Sequence, residues 1–150
     1  KSITYHLRYL NDFKSQDLFD YLKLRSDTFV VEQGCAYPEL DEWDEKALHI
    51  LQYAEEYLTG CARIIPPGIA FPEGSFGRVT IIPQHRGRSL GSKLSRFCCQ
   101  HLDQNYPSKP IKIEAQHYLE KFYQNLGFRR ISEKPFLDYG VLHLEMLREG

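Results

Sequence analysis

Apolar and polar residues alternate at the start of the chain, with Ile3, Tyr5, Leu7 and Tyr9 interleaved with Thr4, His6 and Arg8. A two-residue period of this kind predicts a half-buried strand. From Ser15 the spacing lengthens to three and four. Ser15 suits an N-cap and Asp17 falls in the first turn, so a helix is expected through Leu18, Phe19, Leu22 and Arg25. Phe29-Val30-Val31 reads as extended, or as the frayed end of that helix. Residues 32–46 are irregular and acidic, with Glu39, Asp41, Glu42, Asp44 and Glu45 around Trp43. Most of those charges read as a solvated loop. Residues 49–53 and 58–65 predict a hairpin turning near Glu55-Glu56, ended by Pro66-Pro67-Gly68.

A buried strand follows over 77–82. Leu90, Leu94, Phe97, Cys98 and Leu102 then recur at helical spacing until Tyr106-Pro107 stops them. A short strand over 111–115 leads to a helix over 119–126, closed by Gly127 as C-cap. Strands over 128–134 and 141–148 complete the pattern. Seven strands and three or four helices, with neither repeat nor linker, describe one mixed α/β domain over residues 1–150, a single-layered sheet covered by helices.

Composition narrows the function. A chain of 150 residues with 42% hydrophobic and 26% charged residues is an ordinary globule. A net charge of −1 argues against a nucleic-acid or membrane-surface binder, which needs a broad excess of Lys and Arg. No apolar run approaches the ~20 residues of a membrane span. Lys1-Ser2-Ile3 does not read as a signal peptide, and the missing initiator Met points to residues ahead of it. Cys35, Cys61, Cys98 and Cys99 lack zinc spacing, so free thiols, a reducing cytoplasm and no metal are expected.

The chemistry concentrates in one stretch. Gly77-Arg78-Val79-Thr80-Ile81-Ile82 reads as a strand, Pro83-Gln84-His85-Arg86-Gly87-Arg88 as a tight basic loop, and Ser89-Leu90-Gly91-Ser92 as the opening of a helix. Converging amides, a helix N-terminus and two arginines suit a diphosphate. The Walker pattern is absent and the dinucleotide fingerprint fits poorly. A surface loop whose glycines serve only to turn the chain is the alternative at this point.

Two further motifs narrow it. Arg86-Gly87-Arg88-Ser89-Leu90-Gly91 resembles the Arg/Gln-x-x-Gly-x-Gly/Ala loop of the GNAT superfamily of acyl-CoA-dependent N-acyltransferases. Tyr123-Gln124-Asn125-Leu126-Gly127-Phe128 resembles that family's Tyr-x-x-x-Gly-Phe ending. Ser89 stands where glycine is usual, which is tolerable if its φ is not positive. Gln116 stands where many members have Asn. The segment from Leu24 to Gln33, then Tyr37, Asp41, Asp44 and His49, with Ala115-Gln116 and the ending from Gly140 to Met146, is similar to the ElaA-like branch.

The resemblance implies a GNAT-type fold. Its sheet is strongly bent and mostly antiparallel, of about seven strands, with helices on both faces and strands four and five splayed. It implies acetyl-CoA as co-substrate, with Val79, Thr80 and Ile81 on the pantetheine arm. Gly87, Arg88, Ser89, Leu90, Gly91 and Ser92 would hold the diphosphate, with Arg86 and Gln116 assisting. A neutral amine of a small molecule or peptide would attack the thioester directly in a ternary complex. A backbone amide near 79–81 would stabilise the oxyanion, and Tyr123 would donate to the departing thiolate. Glu32 is the first choice as base. Gln33, His117 and His143 are acceptor-site candidates, and Glu114, with His117 and His143, falls near the splay or on the last strands; His49 and His143 read equally as satisfied core or sheet histidines. Arg25, Arg63 and Arg78 are expected to order the acidic segment by charge-assisted hydrogen bonds. The alternatives are a non-catalytic acyl-CoA sensor or interaction domain, and an acyl-homoserine-lactone-synthase-like acyltransferase. The exposed end of the last strand leaves a homodimer open.

Overall fold

The computed structural model describes residues 2–34, 38–87 and 89–150. The expectations for Cys35, Tyr37 and Arg88 lie outside the described residues. Among the described residues eight strands form two antiparallel sheets. β1 (Ile3–Arg8), β2 (Leu48–Ala54), β3 (Tyr57–Ile65) and β4 (Ser75–Ile81) pair in sequential order. In the second sheet β5 (Ile111–Gln116) and β6 (Arg129–Arg130) flank β8 (Val141–Arg148), and β7 (Phe136–Asp138) pairs with the start of β8. The hydrogen-bonded ladder is interrupted between β4 and β5, the expected splay of strands four and five. The two sheets meet at one parallel bridge, Gly74 beside Ile111, where the Lys112 N–H donates to Gly74 O at 3.0 Å. Beyond it the described residues of β4 and β5 share no ladder, so these two strands diverge toward Ile81 and Gln116.

Helices cover both faces, which explains why β2 and β3 are apolar without alternation. Ile50, Ala62, Ile64 and Phe76 pack against Leu94, Cys98 and Leu102 of α2 (Leu90–Asn105), joined by Ile111, Ile113, Leu144 and Met146. On the opposite face Leu51 and Cys61 pack against Tyr21 and Leu24 of α1 (Ser15–Arg25). Each fully buried Leu or Ile here contributes about 1.5–3 kcal/mol. Cys61, Cys98 and Cys99 are buried free thiols. Burial pushes Cys61 up to about 12 and Cys99 up to about 11, so neither is a nucleophile near neutral pH.

Residues 29–31 are not extended. α1 continues into a π-helical turn (Ser26–Glu32), closed by Gln33 N–H donating to Thr28 O at 2.9 Å. The wider turn buries Thr28 and Phe29 and leaves Val31 at the surface. Residues 128–134 enter the sheet only at Arg129–Arg130, and the helix expected over 119–126 is a tight turn (His117–Leu119) followed by α3 (Glu120–Gln124). Among the described residues no helix is long and apolar enough to cross a membrane.

Candidate active site

The divergence of β4 and β5 leaves a cavity of about 520 Å³ at its wide end. Val79, Thr80 and Ile81 form one wall, and the first turn of α2 (Ser89, Leu90, Gly91, Ser92) with Arg86 and Gly87 forms the floor. The π-helical turn (Thr28, Glu32, Gln33) and the segment after β5 (Tyr118, Leu119, Phe122, Tyr123) close it. Thr28, Tyr118 and Phe122 were not singled out from the sequence. Thr28 enters because its Oγ1 accepts from Thr80 Oγ1 at 2.8 Å, a tertiary contact with no local signature.

β4 carries a bulge at this wall. Cys61 faces Thr80 and Arg63 faces Gly77, so Ala62 alone faces both Arg78 and Val79. Arg78 takes a left-handed backbone, φ +52°. A bulge takes one residue out of the ladder and re-aims its backbone groups, here where the wall of the cavity begins.

The floor suits an anion. The opening amides of a sixteen-residue helix have no acceptor within it, and they carry the positive end of its dipole. A Cβ on Gly87 would meet nothing within 4 Å, and one on Gly91 would meet only Ile81 and Phe122 at 3.9 and 4.0 Å. Both glycines therefore keep open space that side chains would fill. Ser89, the N-cap of α2, sits at φ +61°, with no side-chain cap bond. The structure thus takes the unfavourable branch of the sequence expectation: the loop keeps a left-handed turn and serine bears it, at a cost of about 1–2 kcal/mol. Ser89→Gly is expected to raise unfolding stability by about 0.5–1 kcal/mol, read as a higher urea midpoint with unchanged slope; a lower midpoint would show that the serine has an unrecognised partner.

Arg86 is already engaged. Its Nε donates to Ile81 O at 2.9 Å, and its two terminal nitrogens donate to both oxygens of Glu32 at 2.5 and 2.7 Å. This fork ties the end of the π-helical turn to the loop after β4. Hydrogen bonding to Arg86 holds the Glu32 carboxyl below its ordinary range. Beside it Gln116 Nε2 donates to Gln33 Oε1 at 3.2 Å, joining β5 to the same turn. Tyr123 is 7% exposed, boxed by Phe76, Phe122 and Phe128. Burial raises its phenol well above the ordinary value, so it stays protonated.

A second cavity, of about 310 Å³, meets β4 on the other side of the bulge, at Ser75, Phe76, Gly77 and Arg78. His143 of β8 and Glu114 of β5 line it, with residues 38 and 41–43 of the acidic loop and Asp138-Tyr139. Glu114 lies on the face of β5 opposite Ile113 and Ala115, which pack toward α2. Partial burial and the nearby carboxylates of Asp138 and Glu145 raise its carboxyl, against His143 and Lys112. His143 is 7% exposed, its Nδ1 2.9 Å from Val141 O. If that nitrogen carries the proton, Nε2 is left as acceptor. His117 is exposed in the turn after β5 and lines neither cavity.

Three acidic residues of the loop are engaged by arginines, while Glu42 and Glu45 stay exposed as a solvated loop would have them. Fully buried Arg25 donates from Nε to Glu39 Oε2 (2.8 Å) and from Nη1 to Asp44 Oδ1 (2.8 Å). Arg63 donates to Asp41 at 2.6 and 3.0 Å and to Asp44 at 3.0 Å. Arg78 pairs with Glu39 at 2.7 Å and with Asp41 at 3.4 Å. Burial alone would raise the Asp44 carboxyl, but the Arg25 hydrogen bonds and charge, Arg63 and the Asp41 amide bring it down to about 2. His49 is fully buried, its Nδ1 2.5 Å from Tyr21 Oη and its Nε2 2.9 Å from Asp44 O. Burial lowers its pKa, which fits a neutral ring that accepts from tyrosine and donates to the carbonyl. Its role is structural. Among the described residues no group of three or more His, Cys, Asp or Glu is placed to hold a metal ion.

Comparison with known proteins agrees with this architecture. The family described as acetyltransferase (GNAT) domain matches residues 10–149. The chain is 35% identical over 138 residues to UPF0039 protein sll0451 of Synechocystis, covering 91% of this chain and 89% of that one. It is 31% identical over 141 residues to protein ElaA of Escherichia coli, covering 93% and 92%. The crystal structure of E. coli ElaA superposes with a TM-score of 0.88 at 30% identity, over 99% of this chain and 100% of that one. An acyl-CoA N-acyltransferase from Pseudomonas aeruginosa superposes equally well, with a TM-score of 0.88 at 28% identity over 98% and 99% of the two chains. The chain belongs to the GNAT acetyltransferase family, in its ElaA-like branch.

Proposed function

We propose that the protein transfers the acetyl group of acetyl-CoA to a primary amine by direct attack in a ternary complex. The observation that carries this reading is the placement of two cavities on either side of the β4 bulge. One has an anion-suited floor and an extended strand wall. The other presents a carboxylate and a histidine.

The pantetheine arm would lie along Val79, Thr80 and Ile81, adding to the unpaired edge of β4 as a strand would. The diphosphate would rest on the amides of the first turn of α2 with Arg86. The thioester carbonyl would then reach the bulge, where a backbone N–H of Val79 can stabilise the developing oxyanion. Tyr123 would hydrogen-bond the departing thiolate. Its raised pKa makes full proton transfer to a thiolate of pKa about 8.5 uphill, so its role is that of a donor held in place.

The base is reassigned from the sequence reading. Glu32 gives both oxygens to Arg86, and a carboxylate so occupied is a poor proton acceptor. Glu114 has a raised carboxyl and lines the other cavity, so it suits the proton of an incoming ammonium better. Glu32 then serves to orient Arg86, Gln33 and Gln116 brace the same turn, and His143 flanks Glu114. A catalytically silent acyl-CoA sensor would share the first cavity but would have no use for the second.

Arg86→Ala tests the cofactor half. Acetyl-CoA affinity, measured by calorimetric titration, is expected to fall about tenfold, because a charge-assisted hydrogen bond contributes about 1.5–3 kcal/mol and part is already spent on Glu32. The loss should shrink at high salt. An unchanged Kd would remove the loop from diphosphate binding.

A further inference from the structure

Two fully buried polar side chains, Gln52 of β2 and Thr59 of β3, lie outside the arginine network and take no part in the chemistry above. They meet at a bulge: Gln52 faces Gly60 and Tyr53 faces Leu58, which leaves Thr59 as the extra residue. The Thr59 hydroxyl donates to Gln52, shared between its backbone O at 3.0 Å and its Oε1 at 3.2 Å. Gln52 Nε2 in turn donates to Tyr5 Oη at 3.2 Å and to Leu90 O at 3.3 Å. A carbonyl only accepts, so the contact with Leu90 fixes which end of the amide faces α2. Apolar side chains of the same size would fill this space with nothing polar to satisfy. The core by itself therefore gives no reason for an amide here.

What the amide reaches is the floor of the first cavity. Leu90 is the first residue of α2, and its carbonyl shares one planar trans peptide with the Gly91 N–H. Gripping that oxygen aims the Gly91 N–H the opposite way, out of the first turn, where Gly91 lines the cavity. The other end of the loop is held by the same bulge, because the Ile82 N–H donates to Thr59 O at 2.8 Å. The loop that carries Arg86 and Gly87 is thus pinned at both Ile82 and Leu90. Gly60, the next residue along β3, lets the cavity wall approach: a Cβ there would lie 2.6 Å from Ile81 Cδ1 and 2.7 Å from Thr80 O.

We propose that Gln52, held by Thr59, is a positioning residue for the diphosphate of the cofactor. It touches no ligand; it sets the direction of the amides that do. With the loop pinned at both ends, the floor is ordered before the cofactor arrives, and binding is spared the cost of ordering it. The proposal rests on the reading of this floor as the diphosphate site.

Gln52→Met tests it without stranding a buried polar atom. Thr59 keeps the backbone O of residue 52, Leu90 O keeps the amide that a helix gives it four residues on, and Tyr5 is only half-buried. CoA, and pantetheine, which lacks the diphosphate, are each titrated into the full chain and followed by amide NMR shifts. CoA affinity is expected to fall about fivefold, the scale of one net hydrogen bond, while pantetheine affinity stays within twofold. Partial unfolding weakens both ligands alike, so the ratio of the two affinities reads the floor even in a less stable variant. Gln52→Leu, with a shorter side chain, should move the ratio in the same way. A ratio within twofold of wild type in both variants overturns the proposal and leaves the diphosphate reading intact, since the cluster then supports only the fold. Wild type that binds CoA no more tightly than pantetheine overturns the diphosphate reading, and the proposal with it.

Discussion

Tyr123→Phe is expected to lower kcat for amine acetylation by about 10²–10³-fold, the range for removing one positioned donor from a developing anion, while acetyl-CoA affinity stays within twofold. The phenol is boxed by three aromatic rings and is 7% exposed, so phenylalanine fills the same space without creating a cavity. What is lost is one hydroxyl at the cavity where the thiolate would leave. Folding should be nearly unaffected, which lets a fall in kcat be read as chemistry. Steady-state kinetics with acetyl-CoA and an accepted amine make the comparison. Equal kcat in the variant would remove Tyr123 from the mechanism and leave it as a core tyrosine.

The largest expected effect on stability comes from Arg25→Met. Arg25 is fully buried and donates to Glu39, Asp44 and Tyr21. Removing one partner of a buried ionic cluster strands the others, at a cost of about 3–5 kcal/mol. For a chain of 150 residues that lowers Tm by roughly 6–20 °C. The network should also respond to pH. Asp44 is depressed to about 2, so its contribution is fully present above the ordinary carboxylate range and is lost as pH falls toward 2. Allowing for partial solvent screening, that contribution is about 1–2 kcal/mol. Urea melts at pH 7 and pH 3 should show wild type losing part of this increment, whereas Arg25→Met, having lost it already, changes less. A variant within 1 kcal/mol of wild type at pH 7 would mean that the cluster contributes little.

Local pattern carried much of the site. The strand over 77–82, the loop and the helix opening at Leu90 were legible because each depends on residues adjacent in sequence: a buried run, turn glycines and helical spacing. The residues that resemble the family loop and its Tyr-x-x-x-Gly-Phe ending line one cavity through Arg86, Gly91 and Tyr123. The acidic loop was not legible. Glu39, Asp41 and Asp44 look like a solvated run until Arg25, Arg63 and Arg78 arrive from three distant elements. Residues 29–31 misled for a similar reason. Their β-branched side chains favour extension, but Thr28–Thr80 and Glu32–Arg86 contacts fix the backbone as a π-helical turn. The bulge at Arg78 left no local sign, since an arginine at positive φ is held by its ion pairs and not by its own preference. The second cavity was likewise hidden, because Glu42, Glu114 and Asp138 converge only when the two sheets diverge.

The central claim is that the gap between β4 and β5 is the acetyl-CoA slot of an N-acetyltransferase. A crystal structure of the protein soaked with CoA tests it most directly. The account predicts the pantetheine arm alongside Val79, Thr80 and Ile81, the diphosphate on the first turn of α2, and the sulfur within hydrogen-bonding reach of the Tyr123 hydroxyl. CoA bound elsewhere, or its diphosphate away from Gly87 to Ser92, would contradict it.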